Sequence, residues 1–485
     1  MKVVLFALNG SWSHTSLSLR CLRAPLERDG FSVALIEHNL RDRTSHVLER
    51  LYAADGDVYG FSCYIWNLKE TLSLAESLHR IRPQARIVLG GPEVSFATER
   101  FDACDWIDTI VCGEGEEAML SLCRTFRDGL PHQRIVHGTP YAAFGTGEGI
   151  HYRESEGTGG ILYYESSRGC PYRCAYCLSS ATEGVRFKSV DETLEDLAAF
   201  ERLQTDCRVI KFVDRTFNAN VERANAIWEA LLDPRFTKHY HFEVCASLLN
   251  EKSYDILARF PKGKIQLEFG LQSTNPETLA AISRRIDPQR VIEAVRRVHD
   301  MGNIHVHLDL IAGLPFEGYA RFGESFNDAY GCCDLLQVGF LKLLHGTALR
   351  ERAEDYGYQC LPDPPYTVLS SRWIGYDELQ RLSHMAETLE RYLESGRFAH
   401  ALYYVTPLMP SPFAFWEGLT DYLKAVDQRS LQRLSQPDVF RYFLDYASTA
   451  ISGVDKTTLQ QMLAADFEQH EHKKAPHFLK AKEDT

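Results

Sequence analysis

Three cysteines fall within eight residues of the chain, in Arg168-Gly169-Cys170-Pro171-Tyr172-Arg173-Cys174-Ala175-Tyr176-Cys177, a C-x3-C-x2-C spacing. Thiolates this close on one loop can each ligate one corner of a cuboidal iron–sulfur cluster. The next cysteine, Cys207, lies 30 residues on. A cluster held by three thiolates keeps one metal position open, and an open position is where a substrate can be bound and activated, as in catalytic zinc sites. Two alternatives stand beside this one. Structural zinc would want a fourth Cys or His, and the 25 residues after Cys177 contain neither. Inert buried thiols would want apolar periodicity, which a Gly-Cys-Pro-Tyr loop lacks. The single cysteines Cys21, Cys63, Cys104, Cys123, Cys207 and Cys245 sit in apolar or helix-like runs and read as small buried hydrophobes.

Such a loop needs a strand to present it, and Ile161–Glu165 runs straight into it. Five further strand-like runs follow, Val209–Val213, His241–Cys245, Ile265–Phe269, His305–Leu310 and Leu335–Phe340, separated by helix-like segments. That alternation predicts an open or partial barrel over residues 161–345. Upstream, Val3–Ala7, Val33–Glu37, Val58–Ser62, Ile87–Leu89 and Thr109–Cys112 alternate with helical stretches. Short apolar strands in that rhythm predict a doubly wound parallel sheet over residues 1–130, covered on both faces. Residues 131–160 carry Pro131, Pro140 and seven glycines from Gly138 to Gly160 and read as a linker. Residues 346–465 show no clear strands. Trp373–Glu394 there is a long amphipathic helix candidate, with Leu379, Leu382, Met385, Ala386, Leu389 and Leu393 at helical spacing. The segment 466–485 is polar and is expected to be a flexible tail. The predicted class is therefore α/β with a mostly helical C-terminal region.

Composition bounds the partners. Net charge is −13 and the pI is about 5.8, which argues against non-specific binding to nucleic acid or an anionic membrane. There is no run of 18 apolar residues, so no membrane span is expected. Met1 leads directly into a strand-like run without a signal-peptide pattern, which predicts a cytoplasmic protein with reduced thiols.

The cysteine triplet, with Tyr176 before its last member, resembles the radical S-adenosylmethionine superfamily. The resemblance implies a 4Fe-4S cluster whose open iron chelates S-adenosylmethionine. One electron then cleaves that cofactor to methionine and a 5′-deoxyadenosyl radical. It also implies a partial six-stranded barrel whose sites lie at the carboxyl ends of the strands. Four strand ends fit this pattern. Val213-Asp214-Arg215-Thr216 departs from the family's glycine–glycine–glutamate turn; Asp214 either binds the methionine amino group in its place or caps a helix. Glu243 resembles the residue that contacts S-adenosylmethionine, with an ion-paired Glu as the alternative. In Glu268-Phe269-Gly270-Leu271-Gln272-Ser273, Gly270 permits close backbone approach, and Gln272 and Ser273 supply hydrogen bonds to cofactor or substrate. Asp309-Leu310-Ile311-Ala312-Gly313-Leu314-Pro315 looks like the adenine-side turn.

The first 130 residues resemble the cobalamin-binding domain that precedes many such cores. Three turns carry the likeness: the one at Ser62, Gly90-Gly91-Pro92, and Cys112-Gly113-Glu114-Gly115. In that family the Ser62 region and the Gly90-Gly91 turn flank the nucleotide tail, and Glu114 is the cofactor-binding candidate of the third turn. The loop Asn9-Gly10-Ser11-Trp12-Ser13-His14 departs from the Asp-x-His-x-x-Gly pattern whose histidine ligates cobalt. His14 either ligates cobalt or contacts the corrin edge, and a degenerate scaffold without cobalamin remains the alternative. Residues 346–465 resemble an uncharacterised helical extension of one branch. The resemblance implies methylation of an unactivated carbon of an unknown substrate, with electrons from a one-electron reductant such as flavodoxin or ferredoxin. Radical rearrangement, cyclisation or oxidation is the first alternative. A non-catalytic metal- or cobalamin-binding regulatory protein is the second.

Overall fold

A computed structural model describes residues 1–153, 156, 160–182, 184–427 and 431–479. Two six-stranded parallel sheets organise it. The first runs in the order β2-β1-β3-β4-β5-β6, with β1 Lys2–Asn9, β2 Ser32–Asn39, β3 Val58–Ser62, β4 Arg86–Gly90, β5 Thr109–Cys112 and β6 Ile135–His137. Side chains alternate across a strand. Accordingly Val4, Phe6 and Leu8 enter one apolar core while Val3, Leu5 and Ala7 enter another on the opposite face. A continuous apolar strand sequence is what burial on both faces demands.

The second sheet runs β14-β13-β12-β11-β10-β7. Its strands are β7 Ile161–Tyr164, β10 Val209–Phe212, β11 His239–Val244, β12 Ile265–Gln272, β13 His305–Ala312 and β14 Leu335–Phe340; a hairpin of β8 Ser167–Gly169 and β9 Val185–Phe187 follows β7. β7 and β14 are its two edges, so this is the predicted partial barrel. Here it is apolar burial that alternates along each strand. Leu267, Phe269, Leu308 and Leu310 are buried among the covering helices. The intervening Gln266, Glu268 and Asp309 are half-buried.

The C-terminal helices share the barrel's core. Trp416, Phe440, Phe443 and Leu459 belong to the same continuous apolar cluster as Phe242 and Leu308. The predicted helix Trp373–Glu394 is realised as Tyr376–Leu389 followed by a π-helical turn, Glu390–Glu394. Glu378 reaches back to the Gly375 amide at 2.9 Å and closes its N-terminus.

Several expectations need correction. The stretch read wholly as linker contains β6, which pairs in parallel with β5 through Ile110↔Ile135. A three-residue edge strand among prolines and glycines leaves no periodicity to detect. The region read as strand-free holds a small antiparallel ribbon, Gln359–Cys360 with Val368–Ser370. The expected tail is ordered well past 466: a helix spans Lys456–Glu471 and Leu479 is buried. Residues 480–485 of that tail, and parts of the expected linker, lie outside the described residues.

Candidate cofactor sites

The cysteine loop sits beyond the carboxyl end of β7. The Ala175 amide donates to the Ile282 carbonyl at 2.9 Å, and the Leu349 amide donates to the Ala175 carbonyl at 2.8 Å. These bonds pin the loop to the barrel on both sides. All three thiols are free; Cys174 is buried, and Cys170 and Cys177 are partly open. Arg284 approaches Cys174 Sγ at 3.7 Å and also donates to the Gly270 carbonyl, so a half-buried cation faces the thiol group. Cys245, expected to be an inert hydrophobe, is instead beside the loop: Tyr172 donates to its sulfur at 3.1 Å. Nothing local in the sequence signalled Arg284 or Cys245, because both reach the loop through tertiary packing.

Asp214 is fully buried. Its carboxylate accepts from the Ser166 amide at 2.7 Å, the Ser166 hydroxyl at 2.6 Å and the Ser167 hydroxyl at 2.7 Å. It therefore ties the end of β10 to the end of β7 and, fully buried, presents no accessible oxygen to a methionine ammonium, which corrects that expectation. It is not the N-cap of the next helix either; Asn220 takes that place. Ser273 is likewise consumed: its hydroxyl donates to Glu317 at 2.6 Å and accepts from the Asn275 amide at 2.9 Å. Gln272 behaves differently. It has φ +74° at a bulge in the β12–β13 ladder, and its buried Oε1 has no hydrogen-bond partner. An orphaned acceptor at a strand end suits a cofactor donor.

The barrel lumen is lined by charge. Register places Lys211 beside His241, Glu243 beside Glu268, and Glu268 beside His307. Glu268 meets His241 at 2.8 Å and Lys211 at 3.4 Å. Although burial pushes its carboxyl up, these bonds and charges outweigh that effect and hold it at about 2. Burial, and then the Glu268 charge, push Glu243 to about 7. Asp309 stands 2.9 Å from His307. Glu394, on the π-helical turn of the C-terminal region, is also lifted to about 7 by burial and then by Glu390, with His307 pulling the other way. Glu243 and Asp309 were singled out in the sequence, whereas Lys211, His241, Glu268 and His307 were not. The strand alternation could have found them, but which lumen residues meet depends on register.

At the carboxyl edge of the first sheet, Gly90 and Gly91 differ. Gly91 has φ +110°, and a Cβ there would lie 2.5 Å from the Cys63 carbonyl oxygen, so only glycine fits. A Cβ on Gly90 would meet nothing closer than the Val111 carbonyl oxygen at 3.9 Å. Protein atoms thus leave space at Gly90 that a ligand can fill. Ser62 is buried at the same edge, 3.5 Å from the Ser18 hydroxyl. Glu114 is not free for a cofactor: it accepts from Arg168 at 2.7 Å, from the Tyr141 amide at 2.8 Å and from Arg186, and so clamps the first sheet to the β8–β9 hairpin. His14 Nδ1 bonds to Tyr163 Oη on β7, and the Ile161 amide donates to the Ser13 carbonyl at 3.1 Å. On the other flank Arg100 and Glu93 both meet Tyr366, Arg100 at 2.7 Å. The carboxyl-edge loops of the first sheet therefore touch β7 at one edge of the second sheet and, through Tyr366, the C-terminal segment that packs on the chain leaving β14.

Family models match three consecutive parts of the chain: the B12 binding domain over residues 4–122, the radical SAM superfamily over 164–329 and a protein family of unknown function, DUF4080, over 354–485. The chain is 25% identical over 397 residues to the cobalamin-dependent radical SAM methyltransferase TokK of Streptomyces tokunonensis, covering 73% of this chain and 58% of that one. It spans well under two thirds of that relative's length. It is 26% identical over 421 residues to an uncharacterised methyltransferase of Pyrococcus horikoshii, covering 79% of this chain and 86% of the other. Among solved structures it resembles the cobalamin-dependent S-adenosylmethionine radical enzyme OxsB, with a TM-score of 0.64 at 16% identity, over 97% of this chain and 79% of that one. That likeness shows the shared fold. The chain thus carries a B12-binding domain, a radical S-adenosylmethionine domain and the DUF4080 extension. No helix among the described residues is long and apolar enough to cross a membrane.

Proposed function

We propose that this chain, with its B12-binding and radical S-adenosylmethionine domains, is a cobalamin-dependent methyltransferase acting on an unactivated carbon. The observation that supports this best is the meeting of two carboxyl edges. The loops after β1, β4 and β5 reach β7, Tyr366 and Arg168, and Arg168 lies two residues before the first cysteine of the triplet. A reaction that needs both cofactors within reach of one substrate needs that juxtaposition.

When bound, the cluster supplies the electron that cleaves S-adenosylmethionine, and cobalamin supplies the methyl group. The chain's own residues hold, orient and shield. Cys170, Cys174 and Cys177 hold the cluster, and Arg284 places positive charge against the thiolates. Gln272 offers its unpartnered Oε1 to a donor on S-adenosylmethionine. Glu243 contacts S-adenosylmethionine from β11 and Asp309 from β13. Ser62, Gly90 and Gly91 flank the cobalamin tail, and the open space at Gly90 receives it. Asp214 and Ser273 act one step back, by fixing the loops that carry these contacts. The ion pairs of Arg168 with Glu114, Glu116 and Glu165, at 2.7, 2.9 and 2.7 Å, close the seam against water, which a radical reaction requires. A one-electron reductant such as flavodoxin or ferredoxin in the cytoplasm would complete the system, and the acidic chain has no call for nucleic acid.

The test is anaerobic reconstitution with iron, sulfide and hydroxocobalamin, then dithionite and S-adenosylmethionine labelled in its methyl group, with a cell extract as substrate source. Release of 5′-deoxyadenosine together with a labelled small molecule is the expected result. Deoxyadenosine with no label transferred would remove the methyl-transfer half of the proposal. No cleavage by the fully loaded protein would remove the enzyme.

A further inference from the structure

The barrel lumen holds a side-chain group that the proposed function leaves without a full account. Glu268 on β12 and His307 and Asp309 on β13 each present a ligand atom, and the three atoms lie within 4.8 Å of one another. His307 Nε2 stands 2.9 Å from Asp309 Oδ1, and the His307 side chain is only 9% exposed. Both atoms are buried and fall outside well-directed hydrogen-bond geometry, although, against its burial, Asp309 and Gln337 still act on the imidazole and raise its pKa. A nitrogen and an oxygen this close, but misaligned for a bond to each other, are explained if both address a third centre. Ligands at right angles on an ion with bonds of about 2.1 Å stand roughly 3 Å apart, which is the separation seen.

We propose that Glu268, His307 and Asp309 form a divalent-metal site inside the barrel, distinct from the cysteine loop. One imidazole and two carboxylates suit a first-row ion of the manganese, ferrous iron or zinc class. His241 and Lys211 engage Glu268 Oε2, the same oxygen that lies 3.8 Å from His307 Nδ1, so an ion would share this carboxylate with them. His241 fixes the orientation of that carboxylate, as a partner behind a ligand does. Lys211 opposes a cation, so the site depends on all three ligands together. Three protein ligands leave coordination positions that open on the lumen, where an oxygen-bearing group of the substrate would bind. If Asp309 serves the ion, it serves S-adenosylmethionine only through it. The site requires the barrel but not methyl transfer, so the two proposals can fail separately.

The probe is Mn2+ added to the anaerobically loaded full-length protein, with free Mn2+ followed by its electron paramagnetic resonance signal and zinc competing in parallel. One Mn2+ per chain is expected, displaced by zinc and retained in the Cys170→Ala/Cys174→Ala/Cys177→Ala variant that lacks the cluster ligands. Asp309→Asn, an isosteric change, and His307→Ala should each weaken binding by more than the roughly 10- to 100-fold that loss of a mere supporting partner costs. Circular dichroism checks that both variants are folded; Asp309→Asn carries the test if His307→Ala is not. Absence of stoichiometric Mn2+ or zinc uptake, or uptake unchanged in Asp309→Asn, would overturn the site and leave His307 and Asp309 as a plain ion pair.

Discussion

The two parallel sheets have the same strand number and opposite interiors. In the first, β1 sends consecutive residues into two dry cores, and Val3, Val4, Leu5 and Phe6 are all fully buried. In the second, only one face of each strand is apolar, and the other carries Lys211, His241, Glu243, Glu268, His307 and Asp309. A flat sheet covered on both faces can offer chemistry only at its edge, so its candidates are loop residues such as Ser62 and Gly90. A curled sheet has an inside, and this one stocks that inside with charge. Burying charge is costly unless it is paired, and Glu268 with His241 and Lys211, and Asp309 with His307, supply that pairing here.

That contrast can be broken or sharpened experimentally. The largest effect is expected from Cys174→Ala: no cleavage of S-adenosylmethionine and no cluster absorbance, with the melting temperature of the cofactor-free chain little changed, because the Cys174 side chain belongs to none of the three apolar clusters. Phe6→Ala should do the reverse. Loss of a fully buried ring costs about 3–5 kcal/mol, read as a lowered denaturation midpoint, while protein that remains folded still cleaves S-adenosylmethionine. At the edge of the first sheet, Gly91→Ala should cost about 1–3 kcal/mol through its positive φ and the clash with Cys63. Gly90→Ala should leave stability within about 0.5 kcal/mol but lower cobalamin retention after gel filtration. If both glycine variants bind cobalamin normally, the edge is not where the cofactor sits.

The smallest effect tests the lumen's electrostatics. Glu243 has its carboxyl raised from 4.5 to about 7, by burial first and then by Glu268. Between those values the native state binds more protons than the unfolded state, so this group lowers stability as pH rises from about 4.5 to 7. The penalty is absent below that window and complete above it. Glu243→Gln should therefore stabilise the protein above pH 7, on the order of 1–2 kcal/mol at a half-buried site, and change nothing near pH 4. Melting curves across that range give the answer. An equal gain at both ends would show that Glu243 is not held protonated.

Local pattern carried the strands, the cysteine loop and the division between a flat sheet and a barrel, because each is written in spacing or alternation along a few residues. What it could not carry is partnership. Glu114 and Asp214 were assigned to cofactors on position alone; their partners Arg186 and Ser166 come from elsewhere in the chain and claim them for structure. The lumen group was half visible: Glu243 and Asp309 stood out, yet His307 and Glu268 join them only through ladder register. β6 escaped because three residues carry too little pattern. The C-terminal helices were legible as helices, but their continuity with the barrel's core was not, since packing between distant segments has no period.

Arg168 bridges Glu114 and Glu116 of the first domain and sits two residues ahead of Cys170. The anchor between domains and the cysteine loop are thus almost the same piece of backbone. Any hinge motion that parted the domains would have to break these ion pairs or drag the cysteine loop with it, so seam and loop move as one unit.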